Sequence, residues 1–370
     1  MSRLFEATDI KGLALSTRFV RSATWEGMAT EDGASTVRLV NLLEKLAAGG
    51  VGLIIASVAC VRRDGHWVPG QLGIDKDELI DGLRVMTKAV HQHGAPILCQ
   101  LGHAGVFADP KLTGQAPLAT SEVDDVAKRP RRKMSVETIQ EVVEDFGRAA
   151  KRAKQSGFDG IQIFAGHGYL FNQFLSPAFN KRSDAYGGNL ENRARFLLQV
   201  LEAVRMAVGQ DYPILVKMNS EDFLDGGHTL DESLRVGVML CEGGVDAIEL
   251  SGGTWRSGDL RPARKKIHSP DKEAYFREAA KLFKKEVDVP LMLVGGIRSY
   301  EVAEQLLQED AADYVSMCRP LVREPGLINR WKAGCRTKSA CVSCSQCGSA
   351  SRAGGIYCVA ERKLQERRQS

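Results

Sequence analysis

The 370-residue sequence has no hydrophobic run long enough to cross a membrane. Its longest nearly apolar stretch, Gly49–Val61, is shorter than the roughly 20 residues that a spanning helix needs. Met1–Ile10 carries charges and lacks the apolar core of a signal peptide. The net charge is only +4, with both signs mixed along the chain, which is too weak to indicate a nucleic-acid or membrane partner. We therefore expect a cytoplasmic protein that acts on a small molecule.

Cysteine is too sparse for a disulfide scaffold, with nine residues in a chain of this length. Glycine is abundant, at 37 residues, so we expect many tight turns and close backbone approaches. The apolar and charged fractions, 44% and 26%, are typical of a globular protein and exclude the disordered and fibrous classes. The length fits two ordinary domains or one large barrel.

Short apolar segments rich in β-branched residues recur along the chain, and a segment with helical periodicity follows each one. The predicted strands are Phe19–Ser22, Gly52–Val58, Pro96–Leu101, Gly160–Phe164, Ile214–Met218, Ala247–Ser251, Leu291–Val294 and Tyr314–Ser316. The clearest predicted helices are Val37–Leu46, Leu79–His91, Val136–Gln155, Arg193–Val208, Leu230–Cys241, Glu273–Glu286 and Val302–Gln308.

Strands that alternate with helices predict a parallel sheet, and about eight such units close a (β/α)8 barrel. A doubly wound open sheet is the alternative. The number of strands favours closure, and so do the unusual residues, which cluster just beyond strand ends where a barrel builds its active site. We therefore predict an α/β fold, a TIM barrel over residues 1–333, followed by a cysteine-containing extension over residues 334–370. The longest insertion, Gly102–Met134, is a candidate lid or substrate loop.

The segments after the seventh and eighth predicted strands have the composition of a phosphate site. Gly295, Gly296 and Arg298 follow the seventh strand, and Cys318 and Arg319 follow the eighth. In many barrels these two loops bind phosphate through backbone N–H groups. Adjacent glycines let the backbone approach closely, and an arginine supplies the counter-charge. A plain strand-to-helix turn is the alternative.

Two polar residues end predicted strands at the same edge. Gln100 ends the third strand and Lys217 lies at the end of the fifth. Between Val216 and Met218, the lysine would point into the barrel mouth, where a cation stabilises negative charge on a bound ring. It could instead extend to solvent, or serve as the Schiff base of a phosphate-binding lyase or aldolase.

The fourth strand and the residues after it carry the most specific signal. The segments concerned are Ile161–Leu170, Gln173–Pro177, Asn180–Gly188 and Glu191–Phe196. This composite motif resembles the old yellow enzyme family of FMN-dependent ene-reductases. Other stretches agree with it in order along nearly the whole chain: Arg18–Thr24, Gly52–Ile55, Gln100–Gly105, Glu273–Phe276, Val294–Arg298 and Arg319–Leu321.

The resemblance implies that FMN lies across the C-terminal mouth of the barrel. The implied ring contacts are Ser22, Ala23, Thr24 and Trp25 after the first strand, Val58 under the ring, Gln100 at the pyrimidine edge and Lys217 beside flavin N1 and O2. The implied phosphate contacts are Gly295, Gly296, Arg298, Cys318 and Arg319. The family usually has glycine where Cys318 stands, and a backbone N–H contact would survive that change.

The implied reaction moves hydride in two steps, from NAD(P)H to FMN and then to the β-carbon of an activated alkene. Tyr169 matches the residue that gives a proton to the α-carbon, and a phenol with an ordinary pKa of about 10 suits that role. A tyrosine packed in the core is the alternative. His167 matches one of two residues that hydrogen-bond the substrate's activating oxygen, so the implied catalytic residues are Tyr169, His167 and Lys217.

Phe164 departs from the family pattern, because it stands where the first of those two hydrogen-bond donors is expected. Loss of one donor to a developing enolate raises the barrier by about 2.7–4 kcal/mol, by analogy with oxyanion holes. Trp25 and His103 are nearby candidates to reshape the substrate pocket. We expect weak activity on simple cyclic enones. A flavoprotein with poor turnover or with a different substrate is the alternative.

Four cysteines near the C-terminus have the spacing of metal ligands. Cys341, Cys344, Cys347 and Cys358 read C-x2-C-x2-C-x10-C, and such thiolates bind Zn²⁺ or an iron–sulfur cluster. A branch similar to dienoyl-CoA reductase and trimethylamine dehydrogenase carries a [4Fe–4S] cluster here, with one more residue between the second and third cysteine. Zinc, a cluster and free thiols all stay open. We also expect a homo-oligomer, in which Arg352 could reach a neighbouring subunit's site as in some relatives.

Overall fold

Eight parallel strands form a closed barrel in the computed structural model, which describes residues 2–121 and 130–369. The strands are β1 Phe19–Arg21, β2 Leu53–Cys60, β3 Ile97–Gly102, β4 Gly160–Ala165, β5 Ile214–Asn219, β6 Ala247–Ser251, β7 Leu291–Val294 and β8 Tyr314–Met317. Each strand pairs with its neighbours in the chain, and β8 pairs with β1 to close the ring. The predicted TIM barrel is thereby confirmed, and the open sheet is excluded.

Helices follow the strands and surround the barrel. They are α1 Val37–Ala48, α2 Ile80–His91, α3 Val136–Gln155, α4 Leu190–Val208, α5 Leu230–Glu242, α6 Arg277–Glu286, α7 Tyr300–Gln308 and α8 Leu327–Lys332. Each packs an apolar stripe on the sheet, as α3 does with Ile139, Val142 and Phe146. The Ser135 hydroxyl accepts the Thr138 N–H and so caps α3 at the predicted residue.

Helix α6 begins four residues later than the sequence predicts, at Arg277 instead of Glu273. The cause is a long-range contact. The Glu273 carboxylate accepts the backbone N–H groups of Arg298 and Ser299 and the Ser299 hydroxyl, at 2.7–2.9 Å. Glu273 therefore braces the loop after β7 and the start of α7, and the chain between Glu273 and Arg277 stays non-helical.

The end of the barrel opposite the mouth is closed by an N-terminal hairpin. Thr8–Ile10 pairs with Leu13–Leu15. Ile10 and Leu15 pack onto side chains that point into the barrel, among them Leu53. The interior of the barrel is thus a filled core, and a site can form only at the carboxyl ends of the strands.

Shorter elements lie at the mouth and in the C-terminal part of the chain. They are helices Pro110–Thr113, Leu170–Leu175, Arg319–Arg323, Cys347–Arg352 and Val359–Gln369, single 3₁₀ turns, and the strand pair Leu118–Ala119 with Arg132–Lys133. The predicted lid insertion, Gly102–Met134, includes residues 122–129, which lie outside the described residues. Across the described ranges, no helix combines the length and the apolarity that crossing a membrane requires.

Candidate active site

A chain of buried polar side chains links four strands just inside the mouth. Gln100 donates to Gln162 (2.6 Å), and Gln162 donates to Glu249 (2.9 Å). Lys217 Nζ lies 3.3 Å from the same Glu249 oxygen and donates to the Ser22 hydroxyl at 2.8 Å. Lys217 is only 4% exposed, so it points into the barrel and does not extend to solvent.

Glu249 is a site residue that was not predicted from the sequence. It is fully buried and stands beside Lys217 in the register of β6 with β5. Its second carboxylate oxygen, Oε1, has no hydrogen-bond partner among the described residues. A buried carboxylate next to an ammonium group is stable only as a pair, so Glu249 and Lys217 form one electrostatic unit. The only signal in the sequence is one acidic residue inside an apolar strand.

The loop after β1 lies against the loop after β8, as the resemblance requires. Thr24 Oγ1 is 2.8 Å from Cys318 Sγ. The Trp25 indole donates to the Pro69 carbonyl at 3.1 Å. Ser22, Ala23 and Thr24 thereby lie between the buried Lys217 and the predicted phosphate end.

The predicted phosphate end carries two guanidinium groups with unused donors. Gly296 has a left-handed φ of +73°, and a Cβ there would stand 2.7 Å from the Tyr275 ring. Arg298 is 6% exposed and donates to the Ile267 carbonyl, while its Nε has no partner in the part of the chain described. The Arg264 guanidinium packs 4.4 Å from the Tyr275 ring, and its Nε is likewise without one. Gly295, with a φ of +155°, is the second glycine of this turn and likewise has no side chain.

These observations fit FMN at the mouth. Buried N–H donors without partners at Arg298 and Arg264 suit a phosphate anion, and the glycine turn between them has no side chain of its own. The buried Lys217 ammonium suits the edge of a ring that gains negative charge. Arg319, a predicted phosphate contact, donates through Nη1 to the Arg264 carbonyl (2.7 Å) and to the Ser345 hydroxyl (2.9 Å). It therefore ties the C-terminal extension to the phosphate end.

His167 and Tyr169 follow β4 in the short turn before the helix at Leu170. His167 has a φ of +62°, which is strained for a residue with a side chain. Its N–H donates to Asn219 Oδ1 (3.0 Å), and its Nε2 is 2.8 Å from Ser251 Oγ. Burial, helped by the charge of Lys217, holds the pKa of His167 well below its ordinary value. His167 is therefore a neutral imidazole.

Tyr169 lies in an aromatic pocket at 7% exposure. Its ring centroid is 4.7 Å from that of Trp67, 5.1 Å from Phe164 and 6.5 Å from Phe107. Trp255 donates its indole N–H to the Tyr169 hydroxyl at 2.9 Å. Burial raises the pKa of Tyr169 to about 12, against the opposing effect of this hydrogen bond. Trp67 and Trp255 were not foreseen, because both lie in irregular loops.

The predicted flavin contact Val58 and the predicted pocket residue His103 lie in different surroundings. Val58 is 5% exposed and belongs to the same apolar cluster as Phe164 and Tyr169. His103 is buried with both ring nitrogens engaged. Nε2 is 3.2 Å from Asp64, and Nδ1 accepts the Gly105 N–H at 2.9 Å. His103 thus has no nitrogen left for a substrate, and it braces the loop after β3.

The four cysteines Cys341, Cys344, Cys347 and Cys358 line one small pocket, together with Arg319, Val322 and Val359. Burial raises the pKa of Cys341, and that of Cys347 to about 12. Within residues 2–121 and 130–369, no group of at least three histidine, cysteine or acidic side chains is arranged to hold a metal ion. The spacing in the sequence therefore brings the thiols to one pocket without assembling a metal-binding geometry.

The C-terminal extension packs beside the mouth. The Ser351 hydroxyl donates to the Trp25 carbonyl at 3.1 Å, and the Ile356 N–H donates to the Glu26 carbonyl at 2.8 Å. The charge of Arg352 is the smallest of the effects that oppose the burial-induced rise in the pKa of Tyr169. The extension is therefore part of the site's surroundings.

Comparison with known proteins agrees with this geometry. The family model described as NADH:flavin oxidoreductase / NADH oxidase matches residues 3–338. The NADH oxidase of Thermoanaerobacter brockii is 36% identical, over 92% of this chain and 52% of that protein. The NADPH dehydrogenase of Halalkalibacterium halodurans is 36% identical, over 87% of this chain and 92% of that protein. The structure of the old yellow enzyme homologue from Zymomonas mobilis superposes with a TM-score of 0.77 at 25% identity, covering 92% of this chain and 95% of that one.

The chain spans about half the length of some relatives, including the NADH oxidase, and nearly the full length of others. The matched segment contains all eight barrel strands and every residue of the mouth described above except those of the C-terminal extension beyond residue 338. The chain belongs to the NADH:flavin oxidoreductase / NADH oxidase family, the family of the old yellow enzymes.

Proposed function

We propose that this chain is an FMN-dependent oxidoreductase that takes hydride from NAD(P)H and passes it to an activated alkene. The observation that carries the proposal is the placement of Lys217 and Tyr169 at the mouth. Phe164 stands beside Lys217 in the register of β4 with β5, and its ring contacts Tyr169. A buried cation and a buried phenol thus flank one pocket.

The residues that would hold FMN divide into two groups. Lys217 and Gln100 would meet the polar edge of the ring, with Ser22 fixing the position of Lys217. Arg298 and the Gly295–Gly296 turn would hold the phosphate. When bound, FMN supplies the hydride chemistry that no side chain of this protein can perform.

The chain's own contribution is charge and proton placement. Lys217 stabilises negative charge at the ring edge, and Glu249 limits how much net positive charge it offers. When Nε2 accepts from Ser251, neutral His167 carries its proton on Nδ1 and is able to donate it to a substrate oxygen. Tyr169 holds a proton for the carbon that becomes basic when its neighbour receives hydride. The aromatic walls exclude water from that carbon.

The test follows the two half-reactions separately by stopped flow. Purified protein should bind FMN and be yellow, and Tyr169→Phe should slow alkene reduction by about 10²-fold while flavin reduction by NAD(P)H stays unchanged. Protein that takes up no FMN would refute the proposal. Equal slowing of both half-reactions would remove Tyr169 from the proton-donor role.

The lyase alternative has less support in the structure. A Schiff-base lysine must attack as a free amine, whereas Lys217 is held against the Glu249 carboxylate and the Ser22 hydroxyl. Borohydride should therefore trap no carbonyl adduct at Lys217. The homo-oligomer and the cytoplasmic location stay predictions.

We also propose that the four cysteines bind a metal centre, zinc or a [4Fe–4S] cluster, within a C-terminal unit that begins near residue 334. The support is their shared pocket, which has apolar walls apart from Arg319 and Ser345. Metal binding would need the sulfur atoms to move together. Iron, sulfide and zinc analysis of anaerobically purified protein decides the question, with Cys344→Ser as the control that should lose the metal. Protein that contains no metal would show that the four cysteines are free thiols.

A further inference from the structure

The hydrogen bond between Trp255 and Tyr169 has a fixed direction. An indole N–H can only donate, so the Tyr169 oxygen is the acceptor in the 2.9 Å contact. The phenol keeps its own proton. Over the described ranges, no protein group accepts that proton. The Tyr169 O–H is therefore free to turn towards whatever occupies the pocket.

The surroundings of Tyr169 make this hydrogen bond important once the proton has left. The oxygen would then carry a negative charge among the rings of Trp67, Phe107 and Phe164, at 7% exposure. Burial of an ionised group without a hydrogen-bond partner is costly. The Trp255 N–H donates to this oxygen at 2.9 Å, and Trp67 also lowers the pKa of Tyr169, with a smaller effect. The contribution of the Trp255 N–H is larger for the phenolate than for the phenol.

The position of Trp255 is set by its loop and not by burial of its ring, which is 51% exposed. The preceding residues are anchored to the strand ends. The Gly253 N–H donates to the Glu221 carbonyl at 2.7 Å, and the Thr254 N–H donates to the Ser257 hydroxyl at 2.8 Å. Thr254 also forms a bridge with the backbone of His167. The loop after β6 is therefore joined to the turn that carries His167 and Tyr169.

We propose that Trp255 is a positioning residue for proton transfer, acting through Tyr169. The Tyr169 O–H bond breaks, a C–H bond forms on the substrate carbon, and the O–H electron pair stays on the phenolate oxygen, where the Trp255 N–H stabilises it. Water returns the proton in a later step. The inference rests on the proposed proton-donor role of Tyr169 and assigns a second residue to that step.

The kinetic test compares Trp255→Phe, which keeps a ring but loses the N–H, with the wild-type holoenzyme. Alkene reduction should slow by about 10-fold, the equivalent of one hydrogen bond to a charged group. Its solvent deuterium isotope effect should increase, because proton transfer becomes more limiting. Flavin reduction by NAD(P)H should not change. Leu260→Ala, an exposed change on the same loop, is the control and should leave both half-reactions unaltered.

A titration tests the same contact without turnover. A fluorinated tyrosine placed at position 169 ionises in an accessible pH range, and its phenolate absorbance reports its pKa. In the Trp255→Phe background this group should titrate at higher pH than in the wild-type background. An unchanged midpoint would overturn the inference. The other possible failure has a different signature. If the midpoint shifts but Tyr169→Phe reduces alkenes at the normal rate, the hydrogen bond from Trp255 exists but Tyr169 is not the proton donor.

Discussion

At the scale of single residues, Phe164 is where the chemistry of the pocket departs most from the family pattern. Its ring packs against both His167 and Tyr169, at 5.3 and 5.1 Å, so it occupies the space in which a second hydrogen-bond donor would stand. Of the two residues expected to hydrogen-bond the substrate's activating oxygen, only His167 then keeps a donor. If the proposed function holds, we expect this site to favour substrates that carry a stronger activating group than simple enones do.

The Phe164→His variant should gain activity on cyclohexenone. The new imidazole restores a donor to the developing enolate, and one such donor is worth about 10²-fold in rate. Stopped-flow rates of cyclohexenone reduction measure the gain, with Phe164→Leu as the control that changes the volume without adding a donor. Comparable rates for wild type and Phe164→His would contradict the assignment.

The raised pKa of Tyr169 leads to a prediction about how the rate of alkene reduction depends on pH. A phenol of ordinary pKa, about 10, is half ionised at pH 10 and would lose donor capacity there. Because burial raises the pKa of Tyr169 to about 12, its neutral, proton-donating form persists through that range. The rate of alkene reduction should therefore stay level between pH 8 and pH 10, as far as Tyr169 controls it. A fall in rate centred near pH 10, absent from flavin reduction, would show that the phenol is not protected.

At the scale of elements, the strands follow the sequence closely because each is a short buried apolar run. The predicted and observed ranges agree within two residues at every end, and Gln100 and Lys217 each lie two residues before the end of an observed strand. Glu249 could not be identified in the same way, since its position beside Lys217 depends on the register of β6 with β5. Trp255 was also missed, because an irregular loop has no periodicity from which a side chain's direction can be inferred.

The loop after β7 provides a test of the phosphate end. Gly296→Ala would put a methyl group 2.7 Å from the Tyr275 ring in a left-handed backbone conformation. We expect FMN affinity to fall by about 10-fold or more, since such strain costs about 1–3 kcal/mol. Fluorescence titration of the FMN-free protein measures it. Gly209→Ala is the matched control, with a similar φ but open space far from the mouth; an equal loss of affinity there would point to general destabilisation.

At the scale of the whole molecule, the C-terminal extension contacts two parts of the mouth. Ser345 contacts Arg319 at the phosphate end, and Ser351 contacts Trp25 beside the ring site. The sequence marked this segment by its cysteines alone. Its packing on the mouth depends on hydrogen bonds to residues some 300 positions earlier, which no local pattern encodes.

Displacing the extension should therefore loosen FMN. A Cβ at Gly27 would stand 2.1 Å from the Ser351 carbonyl oxygen, and Gly27 has a φ of +66°, so Gly27→Ala forces the extension away from the loop after β1. We expect faster FMN release, followed by flavin fluorescence, and faster proteolysis of the extension. The barrel's circular dichroism should not change. Gly348→Ala, within the extension but facing open space, is the control. FMN release at the wild-type rate in Gly27→Ala would mean that the barrel holds the cofactor without help from the extension.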